Sequence, residues 1–221
     1  MPGMDMPAMQ MSGFDAWGSS TVVLLFLMWA VMMVAMMVPS AVPMIQVFLA
    51  VNERRQKSSR QLVPVGAFLL GYLVVWTAFS AAATLAQLGL HKAALLSPMM
   101  VATSPVVSGG LLLAAGIFQW TPLKRSCLSG CRSPLSFLMS EWRDGAAGSF
   151  SMGLRHGAYC VGCCWALMAL LFVVGVMNLL WVAAIALFVI AEKILPRGEI
   201  IGHIAGVALV AAGIGVISRS L

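Results

Sequence analysis

Charge is what this sequence has least of: only 9% of its 221 residues are Asp, Glu, Lys or Arg, and seven of them are acidic. A soluble domain carries about a quarter of its residues as charges, so an aqueous surface of this size is excluded and a bilayer must be the solvent. Catalytic signatures are missing as well. No HExxH, GxSxG, Walker or dinucleotide-type glycine motif stands in a suitable context, and no paired carboxylates lie within a helix, so an enzyme is not expected. The N-terminal stretch MPGMDMPAMQMSGFDAWGSS has Asp5 and Asp15 but no Lys or Arg. It therefore lacks the basic region of a cleavable signal peptide, and the first apolar run is expected to be a retained span.

What is present is apolar: 61% of the residues are hydrophobic and the mean hydropathy is +0.98. A crossing takes about 20 apolar residues. Runs over 21–51, 62–88, 99–120, 157–174, 179–191 and 200–217 predict an all-α, polytopic transmembrane helix bundle of about six spans. The uncharged stretch 157–191 is too long for one crossing and should fold back near 175–178 as a tight hairpin. The expected organisation is a Met-rich extracytoplasmic tail over 1–20 and a single helical domain over 21–221, with cytoplasmic loops at 52–61 and 121–152. Except for Lys92 and Arg219, all 13 basic residues fall in the connections after the first, third and fifth runs. The positive-inside rule then puts those connections in the cytoplasm and both termini outside, periplasmic in a bacterial inner (cytoplasmic) membrane. The net charge of +6 thus reports orientation, and no nucleic-acid partner is expected. Pro39 and Pro43 interrupt the first run, where a kink is expected.

All five cysteines lie between Cys127 and Cys164. In HGAYCVGCCW, residues His156, Cys160, Cys163 and Cys164 fall on one helical stripe about 100° wide. Thiols three or four residues apart are close enough to grip one soft ion. His156 lies too far along the axis to share that ion with all three and would serve as a gateway or supporting group. Cys127 and Cys131, in PLKRSCLSGCRSP, look like a cytoplasmic docking pair whose basic neighbours favour the thiolate. Counting back from the hairpin turn, Glu192 comes level with Cys160 and Val161, with Arg155, His156 or Lys193 as its expected partner. His203 enters from the same side, so Glu192 and His203 are candidates for an outer layer around the site.

Methionine supplies a second set of soft donors, 17 in all. Met4, Met6, Met9 and Met11 crowd the tail, and Met28, Met32, Met33, Met36, Met37 and Met44 mark the first run. Thioethers select copper(I) and resist disulfide chemistry, so the tail reads as an external collector and Met36 and Met37 as ligands within the membrane.

The segments WAVMMVAMMVPSAVP, TPLKRSCLSGCRSP and HGAYCVGCCWALMALLFVVGVMNLLWVAAIALFVIAEKILPRG resemble a family of predicted metal-binding integral membrane proteins, a domain-of-unknown-function family often labelled copper chaperone. The resemblance implies a membrane bundle that handles metal, with Cys160, Cys163 and Cys164 at the motif. The expected function is binding copper(I), or another soft metal, and handing it on by Cys and Met ligand exchange, as chaperone or transporter. Its expected partners are the metal ion, membrane lipid, and a copper enzyme or soluble metallochaperone. Two alternatives stand beside it: a permease for mercury or another thiophilic metal, and a non-transporting assembly subunit of a membrane complex.

Overall fold

The computed structural model describes residues 18–55, 62–95 and 102–220. Met4, Met6, Met9 and Met11 lie outside the described residues, as does 56–61 of the first expected loop. Among the described residues there are helices and no strands: α1 (Ser19–Arg55), α2 (Leu62–Lys92), α3 (Pro105–Phe118), α4 (Pro122–Arg132), α5 (Pro134–Glu141), α6 (Gly145–Ala169), α7 (Leu171–Val174), α8 (Leu179–Ile194) and α9 (Gly198–Ser218). Four segments, Ser19–Arg54, Val63–Lys92, Gly145–Val174 and Gly198–Ser218, are long and apolar enough to cross a membrane. A fifth is added if α3 and α4, bent by 64° at their junction, count as one span. The chain is thus an all-helical membrane protein. Length does not establish the six expected spans: α8 has 16 residues, about 24 Å, against a hydrocarbon core of about 30 Å.

The helices pack through small residues, as they must where lipid offers no hydrophobic driving force. On the α2–α6 seam, a Cβ at Gly153 would overlap the Phe68 carbonyl, and one at Gly71 would overlap the Phe150 carbonyl. On the α3–α9 seam, a Cβ at Gly213 would lie 2.9 Å from the Gly109 carbonyl oxygen, and one at Gly206 would lie 3.0 Å from that of Gly116. Pro39 and Pro43 each remove a backbone donor inside α1 without ending it. The expected hairpin is present: Gly175 closes α7 at φ 91°, a left-handed conformation open to glycine, and α8 starts at Leu179.

The expected loop at 121–152 is largely helical. Thr121 caps α4, its hydroxyl accepting from the Lys124 amide at 3.3 Å, and Pro122 sits in the first turn. Pro134 likewise sits in the first turn of α5, where Ser133 makes no side-chain cap, and α6 begins at Gly145, well before the run at 157. His156 is therefore 11 residues into α6 rather than at its mouth.

Candidate metal centre

The stripe expected on α6 is its buried face. Ser149, Met152, Gly153, His156, Gly157, Cys160, Cys163, Cys164 and Leu167 are all buried, at spacings of three and four that keep one side turned inward. Cys160, Cys163 and Cys164 are at most 2% exposed. They share one buried cluster with Met33, Met36 and Met37 of α1, Tyr72 and Trp76 of α2, and Met168. The first-helix methionines Met36 and Met37 belong to the same buried cluster as the thiols.

The expected docking pair, Cys127 and Cys131, is divided. The bend between α3 and α4 lays α4 across α6, and the two cysteines, one turn apart, meet it at different depths. Cys131 is buried in the same cluster as the α6 thiols, close enough to Cys160 and Cys163 for their sulfurs to interact. Cys127 is half-buried against Gly162, where a Cβ would stand 2.6 Å from its sulfur. Four sulfurs from two helices therefore meet, with the fifth at their edge, and all are free thiols.

The polar contacts of the cluster are few. Cys163 and Cys164 donate to the Cys160 carbonyl at 3.1 and 2.9 Å. Cys160 Sγ lies 3.2 Å from the Tyr72 hydroxyl. That hydroxyl also donates to the Met37 carbonyl at 2.9 Å, which accepts from Ser40 at 2.8 Å as well. Lys193, 8% exposed, reaches in from α8: its ammonium donates to Cys160 Sγ and to Ser40 Oγ, both at 2.9 Å. From the sequence alone Lys193 is an orientation charge and a neighbour of Glu192. A lysine closing an otherwise apolar run was the signal for its role, since a membrane-embedded charge tends to find a partner or a function.

As the side chains stand, no group of three or more His, Cys, Asp or Glu among the described residues is placed to hold a metal ion. The geometry gives the reason: two thiols are turned onto the Cys160 carbonyl and the third onto lysine. The donor chemistry does fit a soft cation. Cys131, Cys160, Cys163 and Cys164 are sulfur donors in a buried setting beside methionines, the ligand type that selects copper(I) over hard ions. His156 adds a buried Nδ1 with no hydrogen-bond partner, its ring 5.9 Å from Phe68, 5.7 Å from Tyr72 and 5.7 Å from Phe137. It sits one turn from Cys160.

Glu192 does not face Arg155, His156 or Lys193. Its carboxylate binds Lys124 of α4 at 2.7 and 2.8 Å in a buried pair, and Lys124 also donates to the side-chain oxygen of Gln119. Arg155 pairs with Glu141 instead. The reason is α4, which carries Lys124 into the space that the expected loop would have left open. His203 lines the same small recess as Glu192, Lys124 and Gln119, and its carbonyl accepts from the Trp120 indole at 3.3 Å. The pair forms a polar knot of its own, joined to the thiol cluster through α4, which carries both Lys124 and Cys131, and through the backbone from Glu192 to Lys193.

A family model described as copper chaperone matches residues 26–216. No curated protein and no solved structure matches the chain.

Proposed function

The chain belongs to the copper chaperone family, and from that membership we propose that its cargo is copper(I), held by the sulfurs of Cys131, Cys160, Cys163 and Cys164. The observation that carries this reading is that four thiols from α4 and α6 share one buried cluster, which also holds methionines of α1. Such a site binds a soft monovalent ion, keeps water away from it, and protects the thiols from oxidation. The protein acts as a carrier rather than a catalyst.

Copper moves by ligand exchange between donors of similar softness. Met4, Met6, Met9 and Met11 collect it, and Met36 and Met37 of α1 pass it to the buried thiols. Cys127, at the edge of the cluster, exchanges it with a copper enzyme or a soluble metallochaperone. His156 stands beside this path, while Glu192 and His203 support α4 from the neighbouring knot. In this reading α1, α2, α3, α6, α8 and α9 cross the cytoplasmic membrane, with α4 and α5 on the cytoplasmic side and both ends of the helical domain outside. The positive-inside distribution of the basic residues supports that orientation.

The test is copper content. Protein purified from copper-supplemented cells should carry copper, and a C160S/C163S/C164S variant of equal yield should lose it. Equal copper in the two proteins would remove the proposed site.

A further inference from the structure

The copper(I) reading raises a problem of choice that the donor set does not solve. Four cysteine sulfurs are also a good ligand set for zinc(II) and its softer analogue cadmium(II), which take tetrahedral thiolate sites. Something other than the sulfurs must disfavour a divalent ion. We propose that Lys193 is the residue that makes this cluster prefer a monovalent over a divalent cation, by holding a fixed positive charge against the sulfurs. The inference rests on the copper(I) reading and adds the selectivity of the same site.

Three observations place that charge. The ammonium touches Cys160 Sγ at 2.9 Å, so it lies at the cluster itself. Its second hold, Ser40 Oγ at 2.9 Å, lets it let go of the sulfur while staying nearby when a metal ion takes its place. The carboxylate next to it in sequence is already bound by Lys124 and makes no ion pair with the ammonium. The titratable groups around the ammonium are Cys131, Cys160, Cys163 and Tyr72, with Cys164 and His156 close behind on α6. The acidic Glu192 also acts on it electrostatically, but that carboxylate is already paired with Lys124.

A fixed charge repels a divalent ion twice as strongly as a monovalent one. For a separation of about 5 Å and an effective dielectric constant of about 20, the extra unit of charge disfavours the divalent ion on the order of a hundredfold.

The experiment compares full-length wild type, K193M, K193Q and K193R in detergent. Gel filtration and helical circular dichroism confirm folding. Copper(I) is titrated against a chromogenic chelator, and cadmium(II) is followed by its sulfur charge-transfer absorbance. The expected result is a cadmium-to-copper affinity ratio that rises on the order of a hundredfold in K193M and K193Q and stays at the wild-type value in K193R. K193Q carries the comparison if K193M fails to fold. A ratio moving by less than about threefold in the neutral variants, or K193R behaving like them, would overturn the assignment to Lys193 while leaving the copper site standing. Wild type without measurable copper(I) affinity would overturn the copper reading beneath it.

Discussion

Cys127 and Cys131 are the same residue type one helical turn apart, and the fold gives them opposite tasks. Cys131 is buried among the α6 thiols, whereas Cys127 lies at the rim against Gly162. Removing a donor from a dry site weakens binding directly, because no water is present to substitute for it. Cys131→Ser should therefore cost at least about tenfold in copper(I) affinity, and Cys160→Ser should cost a similar amount. Cys127→Ser should leave affinity within about threefold and slow release to an external thiol acceptor. Equilibrium competition and stopped-flow transfer measure the two quantities separately, and equal affinity losses would show that the rim thiol is a full ligand. The α6 stripe was legible in HGAYCVGCCW because helical periodicity is local. Membership of Cys131 was not, since it depends on a bend of 64° between α3 and α4 and on how α4 then lands on α6. Lys193 escaped for the same reason: its partner Cys160 is 33 residues away.

At the scale of elements, α4 is fixed to the bundle by a charge pair that lipid would otherwise punish. Lys124 and Glu192 are both nearly inaccessible and join α4 to α8. Breaking such a pair from one side leaves the other charge buried and alone, at a cost of about 3–5 kcal/mol, while an apolar replacement of both is often neutral. Glu192→Gln should thus lower thermal stability in detergent markedly, and K124M/E192L should recover most of it. A double variant no more stable than the single one would mean that the pair holds α4 by something other than its charges. The α2–α6 seam makes a second forecast. Gly153→Ala forces a Cβ into the Phe68 carbonyl, a backbone group that cannot turn aside, whereas Gly66→Ala meets nothing within 4 Å. The first should destabilise, and the second should match or exceed wild type, since alanine is the better helix former by up to about 1 kcal/mol. Thermal melts of the two variants check the contrast. Among the elements themselves, the long apolar helices and the turn at Gly175 could be read from composition. Helices α4 and α5 could not, because their buried side is only a few residues, such as Leu128, Cys131, Phe137 and Leu138, inside a polar stretch. The Thr121-Pro122 and Ser133-Pro134 pairs were the helix-start signals in that stretch.

For the whole molecule, the proposed transfer needs the rim thiol to face the side where copper is exchanged, and the basic residues bear on which side that is. Arg125 and Arg132 of α4, Arg143 before α6, and Arg197 before α9 lie at the end of the bundle where Cys127 is the accessible thiol. If the positive-inside rule governs, that end is cytoplasmic. An inserted α8 of only 16 residues is then matched to the bilayer by local thinning or by Lys193 and Glu192 drawing polar groups inward, each a modest cost. A membrane-impermeant maleimide should label one thiol per folded chain in inside-out vesicles and none in intact cells, with Cys127→Ser abolishing the signal. Unfolding in detergent should expose the four remaining thiols, which burial protects in the native bundle. Labelling of Cys127 from outside intact cells would invert the topology, and with it the direction of exchange: the rim thiol would then receive copper from the outer compartment, and the methionines of α1 would lead the ion inward.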